Sequence, residues 1–108
     1  MKGERLGEFE ELLLLVVWAL GDDTYAVPIQ LHLERTTGRR ATMGAIYAAL
    51  DRIEQKGLVR SMMGAPTAER GGKRKRHYAI TPAGRGMVRD LRSARERLWR
   101  TIEAGNPR

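Results

Sequence analysis

Five basic side chains crowd one short segment: Arg70, Lys73, Arg74, Lys75 and Arg76 in RGGKRKRHYAI, with no acid among them. Guanidinium and ammonium groups at that density do one kind of chemistry well, which is to neutralise phosphate. Gly71 and Gly72, inside the run, let the backbone approach a surface without side-chain bulk. No other reactive side chains group in this way. The two histidines, His32 and His77, and the two serines, Ser61 and Ser93, are not spaced as a nucleophile and its base. GGKR lacks the upstream glycine and the Ser/Thr of a phosphate-binding loop. With no cysteine and no zinc-ligand spacing around either histidine, neither a metal site nor a cofactor is expected. The residues describe a binding protein rather than an enzyme.

The charge of the chain is placed unevenly. Residues 1–38 hold three Lys/Arg against seven Asp/Glu, whereas residues 39–108 hold seventeen against six. A basic half on a chain of 108 residues suggests a polyanionic partner, most often nucleic acid. The longest apolar run, Leu12 to Leu20, is too short to span a bilayer and follows acids rather than the basic start of a signal peptide. A cytoplasmic, nucleoid-associated protein without membrane contact is therefore expected.

The elements that must position the basic segment follow from periodicity. Glu8 to Leu20 is apolar on nearly every side of a helix, so it must be buried from more than one direction. Gly21 ends it. A second helix is expected from Tyr25 to Thr37, with Thr24 as N-cap, Pro28 in the first turn and Gly38 at the end. Thr42 caps a third, in which Ile46, Ala49, Leu50 and Ile53 form an apolar stripe closed by Gly57. Its opposite face carries Met43, Gly44, Tyr47, Ala48 and Asp51. A glycine there costs about 1 kcal/mol against alanine and gives close approach to something outside. LVRSMMG and KRHYAI then read as two strands of a hairpin with the glycine-bearing basic loop at its tip. Thr81 and Pro82 start a last helix that can run to about Ala104, and Met87, Leu91, Ala94 and Leu98 line one side of it, flanked by Val88 and Ile102. So long a helix outruns the domain, and its stripe argues for pairing with a second chain.

Three helices, a hairpin and a final helix make the fold mainly α with a small β-hairpin, in the order of a winged helix-turn-helix. Residues 1–81 are read as the winged domain and 82–108 as a C-terminal dimerisation helix packed with the first helix. KRKR also occurs in import signals, but those more often lie in exposed tails than before a strand and a capped helix. A solvated charge run, or a basic winged module that binds RNA or a protein partner, is the alternative.

RRATMGAIYAALDRIEQKGLVRS followed by GGKRKRHYAITPAG resembles the PadR family of bacterial transcriptional regulators. Thr42, Gly44, Ile46, Tyr47, Leu50, Arg52, Ile53, Glu54, Gly57, Leu58, Gly71, Gly72, Tyr78, Thr81 and Gly84 stand where that family's pattern requires them, and LGEFEELLLLVVWALGDDTYAVPI is similar to its first two helices. His77 and Pro28 are small departures. The resemblance implies a homodimeric regulator, usually a repressor, bound to double-stranded operator DNA. It places Leu12 and Val16 of the first helix with Met87, Leu91, Ala94, Leu98 and Ile102 in the dimer interface. Longer members add a helical domain for effector sensing.

In this reading two third helices enter successive major grooves, with half-sites about 10–10.5 bp or a multiple apart. Thr42, Gly44 and Tyr47 meet backbone and base edges, Met43 touches a thymine methyl, and Arg39 and Arg40 hold phosphates near the helix start. The wing residues Arg70, Gly71, Lys73, Arg74, Lys75 and Arg76 supply affinity independent of sequence. Arg52 and Glu54 are better suited to structural ion pairs than to readout. Trp18 and Trp99, both on dimer helices, either pack the interface or line a flat pocket for an aromatic or cationic effector, as in short relatives that respond to drugs.

Overall fold

A computed structural model describes residues 5–64 and 74–105 of the chain. α1 (Glu8–Leu20) is the central element, because its apolar residues fall on more than one face. Leu13, Leu14 and Val17 are fully buried and Val16 nearly so, while Leu15 stays 43% exposed. α2 (Ala26–Thr37) and α3 (Met43–Gln55) close over α1 with Ile29 and Leu33 from one and Ile46, Leu50 and Ile53 from the other. Gly38 takes the left-handed conformation that ends α2. Thr42 starts α3, its hydroxyl accepting the Ala45 N–H at 3.1 Å.

The hairpin is antiparallel: β1 (Val59–Met63) pairs with β2 (Arg76–Ile80), with Val59 opposite Ile80, Ser61 opposite Tyr78 and Met63 opposite Arg76. One end of it is core. Val59, Tyr78 and Ile80 are buried, and burial pushes the Tyr78 phenol up to about 12. The expected role of Thr24 is corrected here. Tyr25, in extended conformation, is the N-cap of α2, and Thr24 instead bridges Tyr78 on the free side of β2, with N–H···O bonds of 3.2 and 2.7 Å. A buried strand edge needs backbone partners, and that demand outweighs a cap that water can supply.

α4 (Pro82–Glu103) begins where the sequence places it, Thr81 accepting the Gly84 N–H at 3.0 Å. Gly84 is there for space. A Cβ on it would lie 2.2 Å from the Leu58 carbonyl oxygen, so only glycine lets α4 lie this close to the start of β1. Val88 is the last fully enclosed residue of the helix; beyond it Leu98, Trp99 and Ile102 stand 67%, 60% and 62% exposed. The molecule is 63 Å long and 21 Å at its narrowest.

Candidate nucleic-acid interface

The site is built on the two sides of α3. Its inner stripe, Ile46, Ala49, Leu50 and Ile53, is fully buried and fixes the rotation of the helix. The opposite side then has no choice but to face outward, and Gly44, Tyr47, Ala48 and Asp51 are exposed. A Cβ built on Gly44 meets nothing within 4 Å, so no contact among the described residues calls for the glycine. Tyr47 is 45% exposed. Met43 behaves differently from the expectation of a purely outward side chain: it is half-buried and packs against the core.

Charged contacts to the acidic first turn of α1 hold α3 in place. Glu10, 6% exposed, accepts hydrogen bonds from Lys56 Nζ at 2.8 Å and Arg52 Nε at 2.7 Å, and from the Gly7 N–H at 3.0 Å. Burial by itself raises the carboxyl pKa, but these donors outweigh it and hold Glu10 down at about 2. Arg52 thus pairs with Glu10. Glu54 takes a different partner, the Ser61 hydroxyl at 2.7 Å, and Ser61 in turn accepts from Arg76 Nη1 at 3.0 Å. A chain of hydrogen bonds therefore runs from the wing to the last turns of α3.

Of the arginines before α3, Arg39 sits in a cradle. Its Nη1 lies 2.7 and 2.8 Å from the two carboxylate oxygens of Glu8, and its guanidinium stacks 4.9 Å from the centre of the Phe9 ring. Arg40 is 83% exposed, 3.5 Å from Glu34. On the wing, Arg74, Lys75 and Arg76 are exposed, and Arg70, Gly71 and Lys73 lie outside the described residues. His77 anchors the base of the wing: Nδ1 lies 2.9 Å from the Asp23 carbonyl oxygen and the ring meets Tyr25 edge-on. The Lys75 ammonium lies 5.3 Å from the centre of the Tyr25 ring.

The structure brings Thr42, Gly44 and Tyr47 to one side of α3. Glu8 and Glu10 escaped the sequence reading, although the cluster Glu8, Glu10, Glu11 at the start of a buried helix was a usable signal. All three carboxylates hold cations from other elements, Glu11 binding Arg95 of α4 at 2.7 Å.

A second feature lies on the side of α1 facing α4. Leu15, Trp18, Val88 and Trp99 line a groove of about 500 Å³ that Arg89, Arg92 and Arg95 border. Arg85 and Arg89 lie 6.0 and 5.0 Å from the centre of the Trp18 ring. Among the residues assigned to a dimer interface, Leu12, Met87, Leu91 and Ala94 are half-buried and Leu98 and Ile102 exposed, whereas Val16, at 6%, is already enclosed by its own chain. Val16 faces inward because α2 closes over that side of α1, and little of it is left for a partner. Among the described residues no group of three or more His, Asp or Glu side chains could hold a metal ion, and no helix is long and apolar enough to cross a membrane.

Comparison with known proteins finds relatives in sequence and in fold. A curated relative, a 37.1 kDa protein of transposon Tn4556 from Streptomyces fradiae, is 35% identical over 96 residues, which is 87% of this chain and 26% of that protein. This chain thus spans about a quarter of that relative's length. Similar solved structures include a PadR-like transcription factor from Bacteroides fragilis, with a TM-score of 0.72 and 18% identity over 89% of this chain and 87% of that one. A transcriptional regulator from Clostridium thermocellum gives 0.68 and 22%, covering 89% and 90%. Bacillus subtilis PadR in complex with operator DNA gives 0.66 and 16%, covering 78% and 46%. All three share the winged-helix fold. The family model for PadR-like transcriptional regulators matches residues 13–90, from the core of α1 into α4, and the chain belongs to that family.

Proposed function

We propose that the protein is a homodimeric, sequence-specific DNA-binding regulator, acting as a repressor, with α3 in the major groove and the basic wing on phosphates. The observation that carries this reading is the outward side of α3. It presents a glycine with open space beside it and a half-exposed tyrosine, and the wing adds the exposed Arg74, Lys75 and Arg76. Thr42, Gly44 and Tyr47 read base edges and backbone at the helix start, Met43 lends its exposed edge to a thymine methyl, and Arg40 and the wing cations grip phosphate. Arg39 joins them, and Arg70, Gly71 and Lys73 extend the wing's contact. The Bacillus subtilis relative solved with operator DNA supports the same role.

Residues 1–81 form the reading domain and 82–108 the dimerising helix, whose apolar outer half (Leu98, Trp99, Ile102) pairs with α1 and α4 of a second copy. Burying side chains of that size gives about 1.5–3 kcal/mol each. The groove between Trp18 and Trp99 then lies at the dimer interface, where a planar effector can stack. The protein acts in the cytoplasm, on the nucleoid.

Mobility shift with the protein's own upstream promoter DNA, under excess nonspecific competitor and a salt titration, tests the reading. A competitor-resistant complex that weakens steeply with salt is expected. Binding that competitor abolishes would leave a basic module for RNA or a protein partner.

A further inference from the structure

We propose that Glu8 is an internal counter-anion for Arg39, competing with DNA phosphate and setting how tightly the start of α3 grips a duplex; this rests on the DNA-binding reading above. Arg39 lies three residues before the cap of α3, on the segment that leads into the helix, and its guanidinium is a group that binds phosphate. Glu8 already occupies it. Both carboxylate oxygens sit on the same nitrogen, Nη1, at 2.7 and 2.8 Å, and Phe9 backs the guanidinium plane. Nε and Nη2 have no hydrogen-bond partner among the described residues, so one edge of the fork stays free for a second anion. A phosphate docking on that edge meets the Glu8 carboxylate across the guanidinium, like charge facing like charge. It must either displace Glu8 or bind against it.

The pair is placed to exchange. Glu8 and Arg39 have 68% and 41% of their side-chain surface exposed, so neither is locked in by packing. Contrast Glu10, buried under Lys56 and Arg52, which anchors the helix and has no freedom to leave. Arg40 and Glu34 repeat the arrangement more loosely, at 3.5 Å. Carboxylates thus hold both arginines before α3, while the wing cations Arg74 and Lys75 have no carboxylate partner among the described residues. The division of labour follows: the wing attracts any phosphate, and the grip at the helix start is moderated from within the chain.

The test is fluorescence anisotropy with two synthetic duplexes, one from the protein's own upstream promoter and one scrambled, at low salt. Variants are Glu8→Gln, Arg39→Gln, the double variant, and Glu103→Gln as a control of equal charge at the far end of α4. Thermal melting confirms that each variant folds. Glu8→Gln should tighten both duplexes about 2- to 5-fold, the range set by an exposed ion pair, and the gain should fade as salt rises. Glu103→Gln should tighten binding far less, and Glu8→Gln should change nothing once Arg39 is gone. If Glu8→Gln matches Glu103→Gln, or its gain survives in the Arg39→Gln background, the effect is net charge alone and the proposal is wrong. A wild-type chain that binds neither duplex would instead overturn the DNA reading itself.

Discussion

Glu10 is the residue on which the seating of α3 can be tested quantitatively. Glu10→Gln keeps the shape of the side chain and its carbonyl oxygen can still accept from Lys56 and Gly7, but the amide nitrogen then faces Arg52 Nε, donor against donor. The folded carboxyl titrates at about 2 against an ordinary 4.5, and at about 1.4 kcal/mol for each pH unit between the two this corresponds to about 3 kcal/mol. Because Arg52 is half-exposed and partly screened, a loss of about 2–3 kcal/mol at neutral pH is expected, on the order of 10 °C in the melting midpoint. The sign with pH follows from a depressed folded value. The contribution is complete above about 4.5 and disappears as the pH falls through about 2. Urea unfolding of both proteins at fixed concentration, from neutral pH down to about 2, gives the assay, urea being chosen because it adds no ions. The gap between wild type and variant should close across that window, since protonating Glu10 does to the wild type what the substitution has already done. A gap below about 0.5 kcal/mol at neutral pH, or one that stays constant down to pH 2, would refute the reasoning.

Other expectations are more direct. Gly84→Ala places a Cβ 2.2 Å from the Leu58 carbonyl oxygen and 2.7 Å from Ile80 Cγ1, so α4 must back away from β1, and a loss of about 1–3 kcal/mol in thermal melting is expected. Leu98→Asp, at a position 67% exposed in the single chain, should leave helix content intact in circular dichroism while light scattering shows a monomer. An unchanged dimer would remove α4 from the interface. Lys75→Gln should lower the log–log salt slope of DNA binding by about 0.9, with equal weakening on promoter and scrambled duplexes. Tyr47→Ala should cost more affinity for the promoter duplex than for the scrambled one and change stability by no more than about 0.5 kcal/mol, because the ring is half-exposed.

The features that were legible along the chain are those with local causes. Thr42 and Thr81 start their helices, Gly38 ends one, and the spacing of Ile46, Ala49, Leu50 and Ile53 orients α3, all through forces that act within a few residues. The side of α3 offered to solvent followed from the same periodicity, so Gly44 and Tyr47 could be singled out without coordinates. What stayed hidden depends on residues far apart in sequence. Thr24 has the composition of a cap, but β2 lies 54 residues further along and needs a backbone partner, and only the packed hairpin decides between the two roles. Glu8 and Glu10 look like an ordinary acidic helix start. Their partners, Arg39, Arg52 and Lys56, lie 31 to 46 residues away, and nothing local says which carboxylate takes which cation. Gly84 fits a motif, yet the reason for it is a carbonyl oxygen on Leu58. The sequence alone determined the elements, their order and their apolar faces, because periodicity and capping are short-range. Only the tertiary structure decided which charges neutralise one another and which remain for a partner, because ion pairing depends on distance in space and not along the chain.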